Sequence, residues 1–456
     1  MDNDSYRFKI IERISVKMEK RKKKPIGKII VITVLLAIAV TGLIFAHFGG
    51  FSTGKSADIG EFAKYAEEIT NDELPDIDIP EGTRIVALGE ATHGNKEFQE
   101  LKKLVFRDMV ENEGIRAFAL EADTGCCEAI NRYIHGGEGT LEEATETLGF
   151  TIYRTDEMED LISWMRSYNE NAKEGQDLRF YGFDMQDYVY EFRYVLEAMT
   201  KSGISTTEFE KLMDGEDYSD EFKREDREKI FSEVRDLLLE NNDQVAAHYA
   251  DVLIQNSKLF DAYENDPTGS AGMRDSLMAE NAMWILDHEE QLGNNMIFIC
   301  GHNGHMEQFG TYVGGNDKVM GNLLADEIGN DAYFSIGTDF YKTTCNVPKN
   351  GKQRTTFSVY SHDPLAKAAY KNGNDMCLLD FSKVPDDSSI AAIVNGYTLL
   401  GSMDERPVGG LNGIVMRAIP YTYREWRNPS ETYDAMIFVS KAHPTKTRPK
   451  TGNTLQ

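Results

Sequence analysis

Short apolar runs alternate along the chain with longer stretches in which apolar residues recur at helical spacing among charges. The first run, residues 84–89, is followed by a helical pattern over 98–109 and then by a second run over 117–120. This succession predicts a β-α-β unit, because short apolar runs are typical of buried strands and a 3.6-residue period is typical of helices. We therefore expect an α/β fold with a mostly parallel central sheet flanked by helices. Further strands are predicted at 178–183, 296–300, 333–336, 376–379, 413–416 and 435–439.

We place the α/β domain at residues 61–442. A helical insertion is predicted within it. Over about 206–265 the apolar residues keep a helical period without an intervening strand pattern. The insertion could form a lid over a cleft or serve as a structural cap. Residues 443–456 carry proline and lysine without apolar periodicity, which predicts a disordered tail.

The N-terminal region differs from the rest of the chain. A basic leader over 1–28 precedes eighteen uncharged residues, 29–46, which as a helix would span about 27 Å. This pattern predicts a transmembrane anchor at 29–48 and a linker at 49–60. The lysines before the anchor predict a single-pass protein of the cell membrane, held in the lipid bilayer with a cytoplasmic N-terminus and an extracellular catalytic domain. A cleaved signal peptide is the alternative, but the leader is long and Ala37-Ile38-Ala39 lies deep inside the apolar run.

Composition narrows the classes of function. The 49 basic and 76 acidic residues give a formal net charge of −27, which argues against a nucleic-acid partner. The five cysteines are an odd number, so a disulfide framework is not expected. The negative field could concentrate cationic substrates, although solubility alone explains such a charge.

Ionisable residues follow several of the predicted strands. The carboxyl ends of parallel strands meet at one edge of a sheet, where ligands usually bind. Charged groups so close to buried strands are costly unless they are paired, so a shared polar site would account for them. Helix capping is the alternative for each acidic residue. The residues concerned are Glu90, His93, Glu121, Asp123, Asp184, His302 and His305.

The residue types suggest proton transfer. A neutral imidazole at His93 could take a proton from water, with Glu90 or Glu121 fixing its tautomer. His302 and His305 could donate hydrogen bonds to a developing oxyanion, or they could ligate a metal together with a glutamate. Spacing alone does not choose between these roles. The one Gly-x-Ser-x-Gly string, Gly50-Phe51-Ser52-Thr53-Gly54, falls in the predicted linker and not between a strand and a helix. A serine nucleophile of the usual hydrolase type is therefore not supported.

Several blocks together resemble the erythromycin esterase family. They occur in the family's order over residues 85–439, and each would be a weak signal alone. The resemblance implies hydrolysis of an ester or lactone of the macrolide type, as in antibiotic resistance. It also implies water activated at a histidine, no covalent intermediate and no required cofactor or metal. The blocks are Val86-Ala87-Leu88-Gly89-Glu90-Ala91-Thr92-His93-Gly94 with Glu97-Phe98, Ala117-Phe118-Ala119-Leu120-Glu121, Tyr181-Gly182-Phe183-Asp184, Arg274-Asp275 with Met278, Asn281 and Trp284, and Gly301-His302-Asn303-Gly304-His305.

The family's catalytic roles carry over onto matching residues. His93 would be the general base, and Glu90 and Glu121 would orient it or the water. His302 and His305 would line the opposite side of the site and polarise the substrate carbonyl.

The resemblance also implies residues that bind substrate. Arg274 would stabilise oxyanion charge, with a surface salt bridge as the alternative role. Lys102 stands where many members carry arginine, so a point charge would replace a bidentate contact. Asp184 and Asn303 would complete the substrate-binding set.

Three functions therefore remain open at this stage. The first is a membrane-anchored esterase, although resistance esterases of the family are expected to be soluble and cytoplasmic. The second is a metal- or haem-binding protein that uses His302, His305 and a glutamate. The third is a catalytically silent receptor on the same scaffold.

Overall fold

The computed structural model describes residues 31–38, 56–70, 73–267, 269–311, 317–351, 353–361 and 363–450. Within these residues a nine-stranded sheet forms the centre, accompanied by two small two-stranded sheets. In chain order the strands are β1 (Ala66–Glu68), β2 (Ile85–Glu90), β3 (Ala117–Asp123), β4 (Arg179–Asp184), β5 (Met213–Asp214), β6 (Asp217–Tyr218), β7 (Ile297–His302), β8 (Tyr333–Asn350), β9 (Gln353–Tyr360), β10 (Met376–Asp380), β11 (Thr398–Gly401), β12 (Arg424–Arg427) and β13 (Ala435–Ala442).

The central sheet is mostly parallel, as the alternating pattern predicts. Its strands lie in the order β1-β10-β13-β8-β2-β7-β3-β4, and β9 pairs with β8. Every neighbouring pair from β13 to β4 is parallel. The pairs β1 with β10, β10 with β13 and β8 with β9 are antiparallel. The carboxyl ends of β2, β7, β3 and β4 therefore meet at one edge.

Helices cover both faces of this sheet. Val86 and Leu88 of β2 belong to one apolar cluster, whereas Ile85 and Ala87 belong to the cluster on the opposite face. This alternation is typical of a central strand that is buried on both sides. The helices are α1 (Ile59–Tyr65), α2 (Lys96–Asp108), α3 (Thr124–Ile134), α4 (Leu141–Glu146), α5 (Asp156–Asn169), α6 (Val189–Lys201), α7 (Thr207–Glu210), α8 (Arg224–Glu240), α9 (Gln244–Asn265), α10 (Ser270–Gln291), α11 (Asn303–Met306), α12 (Met320–Ile328), α13 (Pro364–Asn372), α14 (Ala391–Val394), α15 (Leu411–Ala418) and α16 (Pro429–Thr432).

The segment 206–265 contains α7, α8 and α9 together with the short hairpin β5–β6. The hairpin is a local departure from an all-helical pattern. Phe209, Phe231 and Leu253 of this segment pack with Phe192 of α6 in one apolar cluster. The segment thus forms its own small core beside the sheet. The division of the chain into domains stays a prediction.

The predicted strand over 413–416 is wrong, because these residues lie within helix α15. Leu411 and Ile414 of this helix are exposed, whereas Met416 is buried. An apolar run of four residues is too short to distinguish the helical period from the strand period.

The expected transmembrane helix over 29–48 requires a correction. Among the described residues, every helix is too short or too polar to cross a membrane. Of the predicted range, only residues 31–38 are described, as one helical segment. The lysines that predict the orientation lie outside the described residues, so the cellular location stays a prediction.

The beginning of the predicted disordered tail is ordered. Pro444 forms an isolated bridge with Asn95, and Thr447 forms one with Thr155. Arg448 pairs with Asp156 at 2.5 Å. These contacts hold residues 443–450 against the start of α2 and α5, where composition alone predicts no order. Residues 451–456 lie outside the described residues.

Candidate active site

The ends of β2, β3 and β7 bring the sequence-predicted histidines and glutamates together. Glu90 at the end of β2 is in register with His302 at the end of the parallel strand β7. His93 follows β2 by a short turn. The ring centroids of His93 and His302 are 5.1 Å apart, and those of His302 and His305 are 6.3 Å apart. His93, Glu121, Arg274, His302 and His305 all line one cavity of about 640 Å³.

Two glycines make this convergence possible. A Cβ atom on Gly301 would lie 2.7 Å from Glu121 Oε2, so any larger residue on β7 would displace the Glu121 side chain. A Cβ atom on Gly89 would collide with the Asn303 side chain. Since both contacts are closer than van der Waals distance, the Gly89-Glu90 and Gly301-His302 sequences have a steric reason.

His93 is held by a buried chain of polar groups. Its Nδ1 lies 2.7 Å from Glu90 Oε1. Glu90 Oε2 accepts from Lys102 Nζ at 2.6 Å, and Gln99 Nε2 donates to the His93 carbonyl at 3.0 Å. Burial alone would raise the pKa of Glu90, but Lys102 and His93 lower it below its usual range. A carboxylate accepts from Nδ1–H, so a neutral His93 ring presents the Nε2 lone pair as a base.

Glu90 also acts on His93. Burial would lower the pKa of His93, but the nearby Glu90 and Glu121 carboxylates raise it above its usual value. The neutral form of His93, which is the base, therefore becomes abundant only at a pH above the pKa of an ordinary histidine.

His302 is a neutral hydrogen-bond donor. Burial, with His93 and His305 nearby, lowers its pKa to about 4. Its Nδ1 accepts from the Gly304 backbone N–H at 3.3 Å. A backbone amide only donates, so the ring proton resides on Nε2. Among the described residues this buried Nε2 has no hydrogen-bond partner.

His305 has the opposite character. Its Nδ1 lies 2.8 Å from Asp275 Oδ1, and its Nε2 lies 3.3 Å from Glu121 Oε1. Burial would lower the pKa of His305, but these two carboxylates raise it to about 9. Arg274 Nη1, at 3.3 Å from Nε2, opposes this shift. His305 is therefore an imidazolium at neutral pH.

Glu121 and Asp184 fix the Arg274 guanidinium. Arg274 Nη2 donates to Glu121 Oε1 at 2.9 Å and to Asp184 Oδ2 at 2.7 Å. Glu121 Oε2 accepts from the His302 backbone N–H at 2.8 Å. Burial would raise the pKa of Glu121, but His305 and Arg274 lower it below its usual range. The result is a rigid cationic group at the wall of the cavity.

Three of the predicted substrate-binding residues lie behind this wall. Lys102 is 1% exposed and pairs with Glu90, and Asp184 is 0% exposed and holds Arg274. Asn303 is 0% exposed and donates to the carbonyls of Thr338 and Gly401. Of the predicted set, Arg274 is the member that lines the cavity.

No role is assigned from the sequence to three supporting residues, of which only Asp275 belongs to a resemblance block. Gln99 lies three positions before Lys102 on α2, and both are buried. Polar residues on the apolar face of a helix could therefore have indicated these two positions. Asp275 directly follows Arg274 and supports His305. Tyr153 is buried with its ring edge-on to His93 at 6.2 Å, and nothing in its local sequence indicates this position.

The geometry does not favour a metal at the histidines. Across the described ranges, the group of potential ligands close enough to share an ion is Asp123, Cys126 and Asp187, which includes no histidine. The Arg274 guanidinium also occupies the side of His305 on which a second cation would lie. The arrangement instead offers a base, a neutral donor and two cations around one cavity.

Comparisons with known proteins give a consistent result. Erythromycin esterase type II from Escherichia coli is 24% identical over 297 residues, covering 57% of this chain and 69% of that protein. The protein YbfO of Bacillus subtilis (strain 168) is 25% identical over 300 residues, covering 57% of this chain and 65% of that protein. The solved structure of a succinoglycan biosynthesis protein is 19% identical with a TM-score of 0.71, covers 86% of this chain and 98% of that chain, and shows a shared fold. The model of the erythromycin esterase family matches residues 110–442, most of the chain, and the chain therefore belongs to that family.

Proposed function

We propose that this hydrolase opens a carboxylic ester, in particular a lactone, with water activated by His93. Membership of the family supports a hydrolase function. The observation that carries the finer proposal is the convergence of His93 and His302 on one cavity in complementary states. His93 offers a lone pair on Nε2, and His302 offers a proton on its own Nε2.

The reaction needs one proton acceptor and one source of positive charge. Water donates a proton to His93 Nε2 while its oxygen bonds to the ester carbonyl carbon. The carbonyl oxygen becomes an oxyanion, which accepts from His302 Nε2–H and lies in the field of Arg274 and His305. Collapse of this intermediate breaks the bond to the leaving oxygen, which takes the proton back from His93. A lactone thus gains one water and becomes a hydroxy acid.

The buried partners would keep these groups in their reactive forms. Glu90, itself paired with Lys102, holds the His93 ring and stabilises the imidazolium formed during the reaction. Asp184 and Glu121 hold Arg274 from behind. The predicted roles of Lys102, Asp184 and Asn303 in substrate binding are thereby replaced by positioning roles in this proposal.

A macrolide-type lactone is the substrate we propose. Two of the relatives that match are erythromycin esterases by name. A cavity of about 640 Å³ lies in the usual range for sites that bind drug-sized molecules.

The rim of the cavity gives no preference for a cationic substrate, despite the net charge of the chain. Asp404 pairs with Arg406 at 2.7 Å, and Glu405 pairs with Arg354 at 2.6 Å. Shape and apolar contact would therefore contribute more to selection than charge.

The test is hydrolysis in water enriched in oxygen-18. The protein is incubated with a panel of macrolides and simpler lactones, and products are analysed by mass spectrometry. We expect a product with the mass of one added water and with the label in the carboxyl group, because water attacks the carbonyl carbon. His93→Ala should lose this product, whereas His135→Ala, a change on the surface, should retain it. Turnover by His93→Ala at the unaltered rate would overturn the proposal.

A further inference from the structure

A second buried polar cluster lies at the same edge of the sheet, outside the catalytic cavity. Asp123, Cys126 and Asp187 each place one potential ligand atom within 4.8 Å of the others. Asp123 ends β3, Cys126 is in the first turn of α3, and Asp187 lies between β4 and α6. The side chain of Glu191 on α6 approaches the start of α3 beside them. The catalytic steps proposed above use none of these groups.

Backbone amides fix one oxygen of each carboxylate. Asp123 Oδ1 accepts from the Asp187 N–H at 2.6 Å, and Asp187 Oδ1 accepts from the Tyr188 N–H at 2.7 Å. Glu191 Oε1 accepts from the Gly125 N–H at 2.6 Å. The orientation of each carboxylate is therefore set by the fold.

The second carboxylate oxygens of Asp123 and Asp187 lie near the same point as the Cys126 thiol. A Cβ atom on Gly149 would lie 2.9 Å from Asp123 Oδ2, 3.6 Å from Asp187 Oδ2 and 3.9 Å from Cys126 Sγ. One point in space is thus close to three donor atoms from three separate elements.

Glu191 supplies an independent sign of a missing ligand. The residue is 0% exposed, and within the described residues its Oε2 has no hydrogen-bond partner. A Cβ atom on Gly125, which stands between Asp123 and Cys126 in the chain, would lie 2.8 Å from this Oε2. A buried polar atom without a partner requires an explanation, and a bound cation is one.

We propose that Asp123, Cys126 and Asp187 bind one Zn²⁺ ion, and that the neighbouring Glu191 completes its coordination. A thiolate ligand selects zinc over calcium or magnesium, and four protein donors make the closed, four-coordinate site typical of structural zinc. On binding, the protons of the Cys126 thiol and of the Glu191 carboxyl group pass to solvent. The ion would join β3, α3 and α6 at the outer end of the sheet.

The adjacent cysteines provide a matched pair of variants. Cys126 Sγ faces the cluster, whereas Cys127 Sγ lies against Gly182 of β4, where a Cβ atom would be 2.7 Å from it. Both thiols are buried, so replacement by serine is a similar perturbation of packing at the two positions. Only Cys126→Ser removes the proposed sulfur ligand.

The experiment measures zinc in the purified protein. Full-length chain is produced with zinc sulfate in the medium, freed of loose metal by gel filtration, and subjected to elemental analysis and X-ray absorption at the zinc edge. We expect one zinc per chain, with a sulfur neighbour at about 2.3 Å. Cys127→Ser should keep the ion. Cys126→Ser and Glu191→Gln should bind zinc at least about tenfold more weakly, since loss of even an outer partner has that effect.

Three results would overturn the proposal. The first is wild-type protein that carries no zinc. The second is zinc surrounded by nitrogen and oxygen alone in the absorption spectrum, which would place it at the histidines. The third is equal zinc affinity in wild type and Cys126→Ser. If Cys126→Ser does not fold, the sulfur neighbour in the wild-type spectrum decides the question.

Discussion

The two walls of the catalytic cavity use the same side chain in different ways. On the β2 wall, His93 is joined to Glu90, whose charge is balanced by Lys102. On the β7 wall, His302 faces other histidines and a backbone amide, and His305 lies between two carboxylates. His93 is thereby a base, His302 a neutral hydrogen-bond donor and His305 a cation.

The protonation of each histidine in this site is set by its partner atoms and not by the residue type. His302 and His305 are three positions apart, yet the pKa of one is lowered to about 4 and that of the other is raised to about 9. Burial acts on both in the same direction, so the neighbouring charges account for the contrast. Replacing individual partners should therefore change one wall and leave the other intact.

The largest effect is expected for His93→Ala. Loss of a general base lowers turnover by about 10²–10⁴-fold. The fold should be retained, because the cavity accommodates the smaller side chain. The quantity to measure is kcat/KM on a lactone that the wild type opens, together with the circular dichroism spectrum. A fall of less than tenfold in correctly folded protein would assign the base to another residue.

Lys102→Met should destabilise the β2 wall. It leaves Glu90 buried without its cationic partner, a change that lowers the free energy of unfolding by about 3–5 kcal/mol. Lys103→Met is the matched control, because Lys103 pairs with the exposed Asp160 and such pairs contribute about 0–1 kcal/mol. Urea unfolding of the two variants tests this. Equal stability of the two variants would show that the Glu90–Lys102 pair does not hold the wall together.

His302→Phe should impair the β7 wall alone. Phenylalanine keeps a planar ring but lacks the Nε2–H donor, and removal of one oxyanion donor lowers kcat by about 10²–10³-fold. The pH dependence of kcat/KM set by His93 should remain. Unchanged kcat in His302→Phe would remove the oxyanion role from this residue.

The smallest effect concerns stability against pH. The pKa of His305 is about 9 in the folded protein and about 6.5 in an unfolded chain. Between these two pH values the folded protein keeps a proton on His305 that the unfolded chain loses. The resulting stabilisation of the folded state is complete below about pH 6.5 and is lost as pH rises through about 9. The free energy of unfolding of the wild type should fall, relative to His305→Gln, by up to about 1.4 kcal/mol per pH unit in this window. Parallel curves for the two proteins would contradict the charged state of His305.

Much of the central sheet could be predicted from sequence. β2, β3 and β7 are buried on both faces, so their apolar runs stand out from the amphipathic helices around them. The strand β9 was missed because its residues alternate between buried and exposed without a strong apolar run. The helix α15 was misassigned because its apolar residues are partly exposed, a tertiary property that the local pattern does not contain.

The sequence indicates which histidines meet at the sheet edge, but not their protonation states or which of the other polar residues line the cavity. Glycine-bounded histidines at strand ends identify His93 and His302, because the sheet topology brings such ends together. The protonation of His93 depends on Glu90, which is held by Lys102, that of His302 on the Gly304 amide, and that of His305 on Asp275. The burial of Lys102 and Asn303 behind the wall also follows from packing.

His302 and His305 line one cavity and hold different protonation states, with pKa values of about 4 and about 9. Nuclear magnetic resonance of protein with nitrogen-15 in its nine histidine rings reports these states directly at pH 7, with His302→Phe and His305→Gln assigning the signals. We expect a neutral His302 with its proton on Nε2 and a doubly protonated His305. A charged His302 or a neutral His305 at that pH would contradict it.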